Sequence, residues 1–398
     1  TGGSRARNDS TRSAAVDDGR ACIVAVPSAG ATCATRCTDE PSFSASSGSS
    51  ALVTALEAVG VGYGDEVLVP GLVWVACASA VARVGAVPVF VDIDAESLCM
   101  SPENAKDALT SRTRAILLVH LYSSVADIDQ FLSLAERNNL ALIEDCSQAH
   151  GAAWRGRKVG AWGEAGAFSF QNQKLLSAGE GGAVVTSRAS VYAAAQQLRA
   201  DGRQWAAEGV EEGFPELVDA GGWQGHNLCL SEIAAAMLDD GLDRLDDQNS
   251  RRLTSVIQLE AALAEVEGIH IPRSHDQRIT AHAFYHLPVR IDRSIFHGLT
   301  GQRFGEAASA ELGLYLEPVH PELGRHPLYR PQKYTRFSPE HRSRLLEQAQ
   351  RPLPTAKEVA ESTFTIPHHA LLARPELIDE IAEAITRVGR HSRELVES

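Results

Sequence analysis

Lys174 lies between an apolar run that ends at Phe170 and the glycine-rich stretch Ser177-Ala178-Gly179-Glu180-Gly181-Gly182. A lysine there reads either as a surface residue, as most lysines do, or as an amine that condenses with a carbonyl. Upstream, Glu144 and Asp145 close the apolar run 140–143, and Gln148 and His150 follow. Carboxylates at a strand's end either open a capped helix or hold a protonated ring nitrogen. Ser47-Gly48-Ser49-Ser50 precedes a helical stretch. It reads as an ordinary N-cap or as small residues that let N–H groups at the positive helix end approach a phosphate. Trp74 follows the run 66–69, as a core aromatic or as a ring placed to stack on a flat ligand. Each signal is weak by itself. Phosphate cradle, stacking ring, carboxylate and amine are together the requirements of pyridoxal 5′-phosphate.

The elements that must position these residues alternate. Helical stretches at 50–59, 73–84, 102–109 and 127–138 are interleaved with short apolar runs at 66–69, 87–91, 115–120 and 140–143. Further runs follow at 165–170 and 182–186. Apolar runs of four to six residues between helices define an α/β fold with a mostly parallel sheet covered on both faces. Ligands in such sheets sit at the carboxyl ends of strands, where the residues above fall. From about residue 242 the pattern changes to a long charged helix (242–266), a strand at 286–291 and a C-terminal helix at 375–388. The expected division is therefore an N-terminal arm (1–45), poorly ordered or loosely docked, a large domain (46–245) and a smaller α+β domain (246–398). The Pro-, Arg- and Tyr-rich segment 320–345 reads as a long surface loop.

Composition bounds the partners. The 398 residues carry 37 Lys+Arg against 51 Asp+Glu, a net charge of −14, which argues against nucleic acid or an anionic membrane as partner. No apolar stretch approaches a membrane span, and no basic region followed by an apolar stretch opens the chain, so the cytoplasm is expected. The seven cysteines (22, 33, 37, 77, 99, 146 and 229) are odd in number and mostly sit in apolar runs, as buried thiols of a reducing compartment do. Cys33 and Cys37 are spaced for a metal clip, but no second pair or histidine cluster follows, and no metal is expected.

From residue 46 onward the chain resembles the DegT/DnrJ/EryC1/StrS aminotransferases. The resemblance is carried by SSGSSAL at 46–52, GDEV at 64–67, VFVDID at 89–94 and IEDCSQAHGA at 143–152. GAFSFQNQKLLSAGEGGAVVT at 166–186 and GHNLCLSE at 225–232 complete it. It implies the aspartate-aminotransferase (type I) fold and a pyridoxal phosphate cofactor. Lys174 would be the cofactor-bearing lysine and proton carrier, Asp145 the partner of the pyridine nitrogen, and Gln148 a contact of the ring hydroxyl. Trp74 would stack on the ring, while Ser49, Ser50 and Ser169 hold the phosphate. Asn227 would reach the phosphate of a neighbouring subunit, making a homodimer with shared sites. A branch that dehydrates sugars carries His at the lysine position, and Lys174 argues against it.

VHLYSSVADID at 119–129, NLCLSE at 227–232 and RHPLYRP at 325–331 are similar to family members of aminocyclitol antibiotic pathways, which aminate scyllo-inosose or 2-deoxy-scyllo-inosose, typically with glutamine as donor. His120, Tyr122, His320 and His368 are candidates for contacting such a polyhydroxylated ring. Three alternatives stand beside this. They are amination of a nucleotide-linked ketosugar, dehydration as in 3-amino-5-hydroxybenzoate synthases, and a non-catalytic partner protein of the same fold. The family's usual N-terminal segment is not recognisable in residues 1–45.

Overall fold

The computed structural model describes residues 42–206, 217–333 and 335–397. Most of the expected N-terminal arm, with Cys22, Cys33 and Cys37, lies outside the described residues.

Seven strands form the main sheet: β1 (Ser42–Ala45), β2 (Glu66–Pro70), β3 (Val87–Val91), β4 (Thr113–Val119), β5 (Ala141–Asp145), β6 (Ala165–Ser169) and β7 (Gly182–Val185). Their order is β1-β7-β6-β5-β4-β2-β3. Strands β2 to β6 run parallel, and β7 is antiparallel to both β6 and β1. The runs are short, apolar and buried because helices cover them: Leu52, Leu56, Val81 and Phe131 pack with Val67, Leu117 and Ile143 in one core. The last four residues of the expected arm are a fully docked edge strand, with Phe43 buried opposite Val184.

A second sheet, β8 (Ile269–His270), β9 (His286–Ile291), β10 (Glu317–Pro318) and β11 (Thr363–Pro367), is antiparallel in the order β8-β9-β11-β10. Its apolar face packs on the helices Glu232–Leu263, Gly301–Leu312 and Pro375–Arg390. The last of these buries Ile378, Ile381, Ala382, Ile385 and Val388, the three- and four-residue spacing of an amphipathic helix. Among the described residues no helix is long and apolar enough to cross a membrane.

The segment 320–345 departs from the expected loop. It contains two short 3-10 turns, and from Pro339 it is the helix Pro339–Ala349, capped by Ser338 and carrying proline in its first turn. The helix is polar nearly all round, so hydrophobic periodicity does not mark it. It is held by Leu345, buried against Ala82, Val87 and Phe337, and by His341 stacked on Tyr63.

Candidate active site

The carboxyl ends of β2, β5 and β6 open onto one pocket of about 390 Å³, which the start of the helix Gly48–Ala58 and the second sheet also line. Parallel pairing brings its parts together. Asp145 ends β5 level with Val119 of β4 and Ala167 of β6, two residues short of Ser169. Ser47, Gly48, Ser49, Trp74, Asp145, Gln148, Ser169, Lys174 and His320 all line the space.

At one end the helix N-terminus meets Ser169. Ser47 and Ser50 form a reciprocal capping box: the Ser50 N–H donates to Ser47 Oγ at 3.1 Å, and the Ser47 N–H donates to Ser50 Oγ at 2.8 Å. Ser50 is thereby buried and does not line the pocket, unlike exposed Ser49. The helix can approach β6 only because residue 48 is glycine. A Cβ there would lie 2.5 Å from Ser169 Cβ.

Asp145 is buried and oriented by two donors, the Ser147 N–H at 2.9 Å and the Cys77 thiol at 3.2 Å. Gln148 is oriented too. Its Oε1 accepts the Tyr122 N–H at 2.8 Å, which leaves the amide NH₂ as the group available to the pocket. Trp74, 47% exposed, presents its ring beside His320, with centroids 5.6 Å apart.

Lys174 Nζ makes no hydrogen bond or salt bridge with a described residue and rests 4.2 Å from the centroid of the Tyr285 ring. Burial pushes its ammonium down to about 8, against the opposing pull of Asp145 and Cys77. An amine with that depressed pKa is a nucleophile near neutral pH. A helix N-terminus with two serines at one end, an oriented carboxylate, an amide donor, a stacking ring and a free amine fit pyridoxal 5′-phosphate in size and in chemistry.

The polar candidates for a substrate divide. His320 lines the pocket, and its Nε2 is buried with no hydrogen-bond partner. Burial, then the charges of Lys174 and His326, lower it to about 3, so it stays neutral. Tyr122 stands behind it rather than in the pocket. Its ring stacks on His320 at 5.5 Å, and its Oη accepts the His320 backbone N–H at 2.9 Å. His120 is fully buried beneath the site, with Nδ1 accepting the Ala126 N–H and Nε2 facing Glu144 at 3.2 Å. It has no nitrogen left for a ligand. His368 also lies off the pocket; its Nε2 meets the Gln173 carbonyl at 3.1 Å and its Nδ1 faces Arg252 at 3.4 Å. Asn227 is exposed and outside this chain's pocket. Tyr285, just before β9, and Glu317, on β10, line the pocket and carry no motif signal. Glu317 stands three residues before His320, and that proximity was the available clue.

The fold is that of the type I pyridoxal phosphate-dependent aminotransferases. The chain matches the DegT/DnrJ/EryC1/StrS aminotransferase family over residues 32–386 and belongs to it. It is 46% identical over 353 residues to an L-glutamine:scyllo-inosose aminotransferase of Streptomyces griseus, spanning 88% of this chain and 82% of that protein. It is 43% identical to an L-glutamine:2-deoxy-scyllo-inosose aminotransferase of Streptomyces paromomycinus, over 87% and 82%. Among solved structures, 3-amino-5-hydroxybenzoic acid synthase superposes with a TM-score of 0.73 at 29% identity, over 87% of this chain and 85% of that one. DesV of S. venezuelae gives 0.70 at 30%, over 87% and 84%.

Proposed function

We propose that this chain is a cytoplasmic, homodimeric enzyme that uses pyridoxal 5′-phosphate to move an amino group from L-glutamine or L-glutamate to a cyclitol ketone such as scyllo-inosose or 2-deoxy-scyllo-inosose. The observation that carries the reading is the free, desolvated Lys174 amine in one pocket with Asp145, Gln148, Trp74 and Ser169. The relatives named above point to the same substrate class.

The cofactor, when bound, supplies an electron sink beside the carbon that loses or gains a proton. Lys174 would hold the cofactor through its side-chain amine, and that amine, when free, would take the proton from the donor's Cα. In the second half the same amine would deliver a proton to the carbon that carries the ketone oxygen. Asp145, held by Ser147 and Cys77, would pair with the ring nitrogen and keep it protonated. Gln148 would donate its NH₂ to the ring oxygen, and Ser49, Ser169 and the helix N-terminus would hold the phosphate, with Asn227 of a second copy completing that end. His320, neutral and unpartnered, accepts from or donates to a ring hydroxyl.

The test is visible absorbance of the protein loaded with pyridoxal phosphate. A band that disappears with L-glutamine and returns with scyllo-inosose establishes donor and acceptor together. Return only with a nucleotide-linked ketosugar moves the substrate, and no band overturns the assignment of the cofactor.

A further inference from the structure

We propose that Glu317 makes the pocket select for a neutral, hydrogen-donating side chain on the amino donor, so that L-glutamine is accepted and L-glutamate is turned away. The inference rests on the aminotransfer reading above and assigns its donor selectivity to one residue.

Glu317 enters from the second sheet. Its backbone is fixed by pairing with Thr365, whose hydroxyl also donates to the Glu317 carbonyl at 3.1 Å. The side chain lines the same space as Lys174, Tyr285 and His320. It is half-buried and makes no hydrogen bond or salt bridge with a described residue. Burial raises its carboxyl from the usual range, with His369 pulling the other way, as befits a charge held partly out of water without a close partner. Its situation differs from that of the other acids lining the pocket. Asp145 already accepts from Cys77 and Ser147, and Glu180 sits exposed at the rim. Lys174 is the one cationic side chain among the described lining residues, and no arginine joins it.

L-Glutamine and L-glutamate carry the same α-amino and α-carboxylate groups, so those groups cancel in a comparison of the two. The difference is a terminal carboxamide with two N–H donors against a terminal carboxylate with none. Beside an unpaired carboxylate the first makes hydrogen bonds, and the second meets a like charge with no donor between them. The acceptor occupies the same space in the other half of the cycle. A polyhydroxylated ring presents O–H donors without charge, so one acid serves both substrates.

The test uses two analogues that lack the amino group and cannot react, glutaramate (terminal amide) and glutarate (terminal carboxylate). Calorimetric titration into the cofactor-loaded protein reads binding without turnover. Wild type is expected to bind glutaramate at least about tenfold tighter, and E317Q to bring the two within about threefold, because the like charge is removed. The ratio of kcat/KM for L-glutamine over L-glutamate should fall in parallel in E317Q and in E317A. A preference that survives unchanged in both variants overturns the role of Glu317 alone. A wild-type protein that binds neither analogue, and whose absorbance does not respond to L-glutamine, overturns the aminotransfer reading and this inference with it.

Discussion

The Cys77 thiol donates to Oδ2 of Asp145 at 3.2 Å, and both groups are buried at the floor of the pocket. Burial, then the charge of Asp145, drives the thiol pKa far up, so Cys77 stays protonated and remains a donor. Its role is to hold the carboxylate's plane. Cys77→Ser keeps a donor and should retain most activity. Cys77→Ala should lower kcat about three- to tenfold, the equivalent of about 1 kcal/mol for one hydrogen bond from a weak thiol donor. The pH at which the bound cofactor's visible spectrum titrates should shift with it, which a packing role alone would not cause.

Tyr122 has a left-handed backbone, φ 57°, costly for a bulky side chain and tolerated only where surroundings fix it. Its N–H holds Gln148, its carbonyl accepts the Tyr285 N–H, and its Oη accepts the His320 N–H. Tyr122→Phe removes only the last contact and leaves the His320 N–H without that acceptor. The expected loss is about 1–3 kcal/mol in urea unfolding. KM for the ketone should rise more than kcat falls, because His320 loses its position and the cofactor end does not.

Lys174 carries a depressed pKa of about 8 through burial. In the cofactor-free protein its amine should therefore react with an acylating reagent along a curve whose midpoint lies near 8, not near the ordinary lysine value. Peptide mapping across pH 6–11 reads this directly. The sign for stability follows. Between the folded and unfolded values the unfolded chain binds the extra proton, so this residue's contribution favours folding increasingly as pH rises through that window. Lys174→Ala should abolish the visible band and lower turnover by on the order of a thousandfold or more.

What the sequence made legible was the set of strand ends. Asp145, Ser169 and Trp74 could be placed because short buried apolar runs mark parallel strands, and parallel strands present their carboxyl ends on one side. Local spacing does not say which way a side chain faces beyond the strand. His120 directly follows β4 yet points under the sheet toward Glu144, whereas Trp74, four residues past β2, reaches the pocket. Ser50 and Ser49 are neighbours, but the N3 position of a capping box engages the Ser50 hydroxyl. Glu317, on the second sheet, and Tyr285, just before its strand β9, lie more than a hundred residues downstream of Lys174, and nothing local reports how the two sheets face each other. The helix Pro339–Ala349 leaves no periodic signal in the sequence, because its buried contacts are a leucine and a histidine within a polar run.

The last prediction concerns the buried pair beneath the site. Glu144 and His120 are both fully buried, and Glu144 also accepts the N–H groups of Gly160, Trp162 and Gly163 at 2.7–2.9 Å. Because His120 Nδ1 accepts from Ala126, its proton lies on Nε2 and points at Glu144. Burial alone would raise the Glu144 carboxyl. The His120 hydrogen bond, with the N–H groups of Gly160 and Gly163, outweighs it and holds the group below its usual range. Cys146 brings its sulfur within 4.8 Å of both, a grouping that resembles a metal site, but the Glu144 oxygens already accept four donors. The pair is therefore a clasp that ties the loop at 160–163 to the strand carrying Asp145. Glu144→Gln places an NH₂ against N–H donors and should destabilise the fold by about 3–5 kcal/mol, as taking a buried carboxylate away from the donors that satisfy it does. A depressed carboxyl contributes stability above its unfolded pKa and loses it as pH falls through the folded value. Acid unfolding of the wild type, followed by circular dichroism, should thus show a stability loss below about pH 4.5 that is reduced in Glu144→Gln.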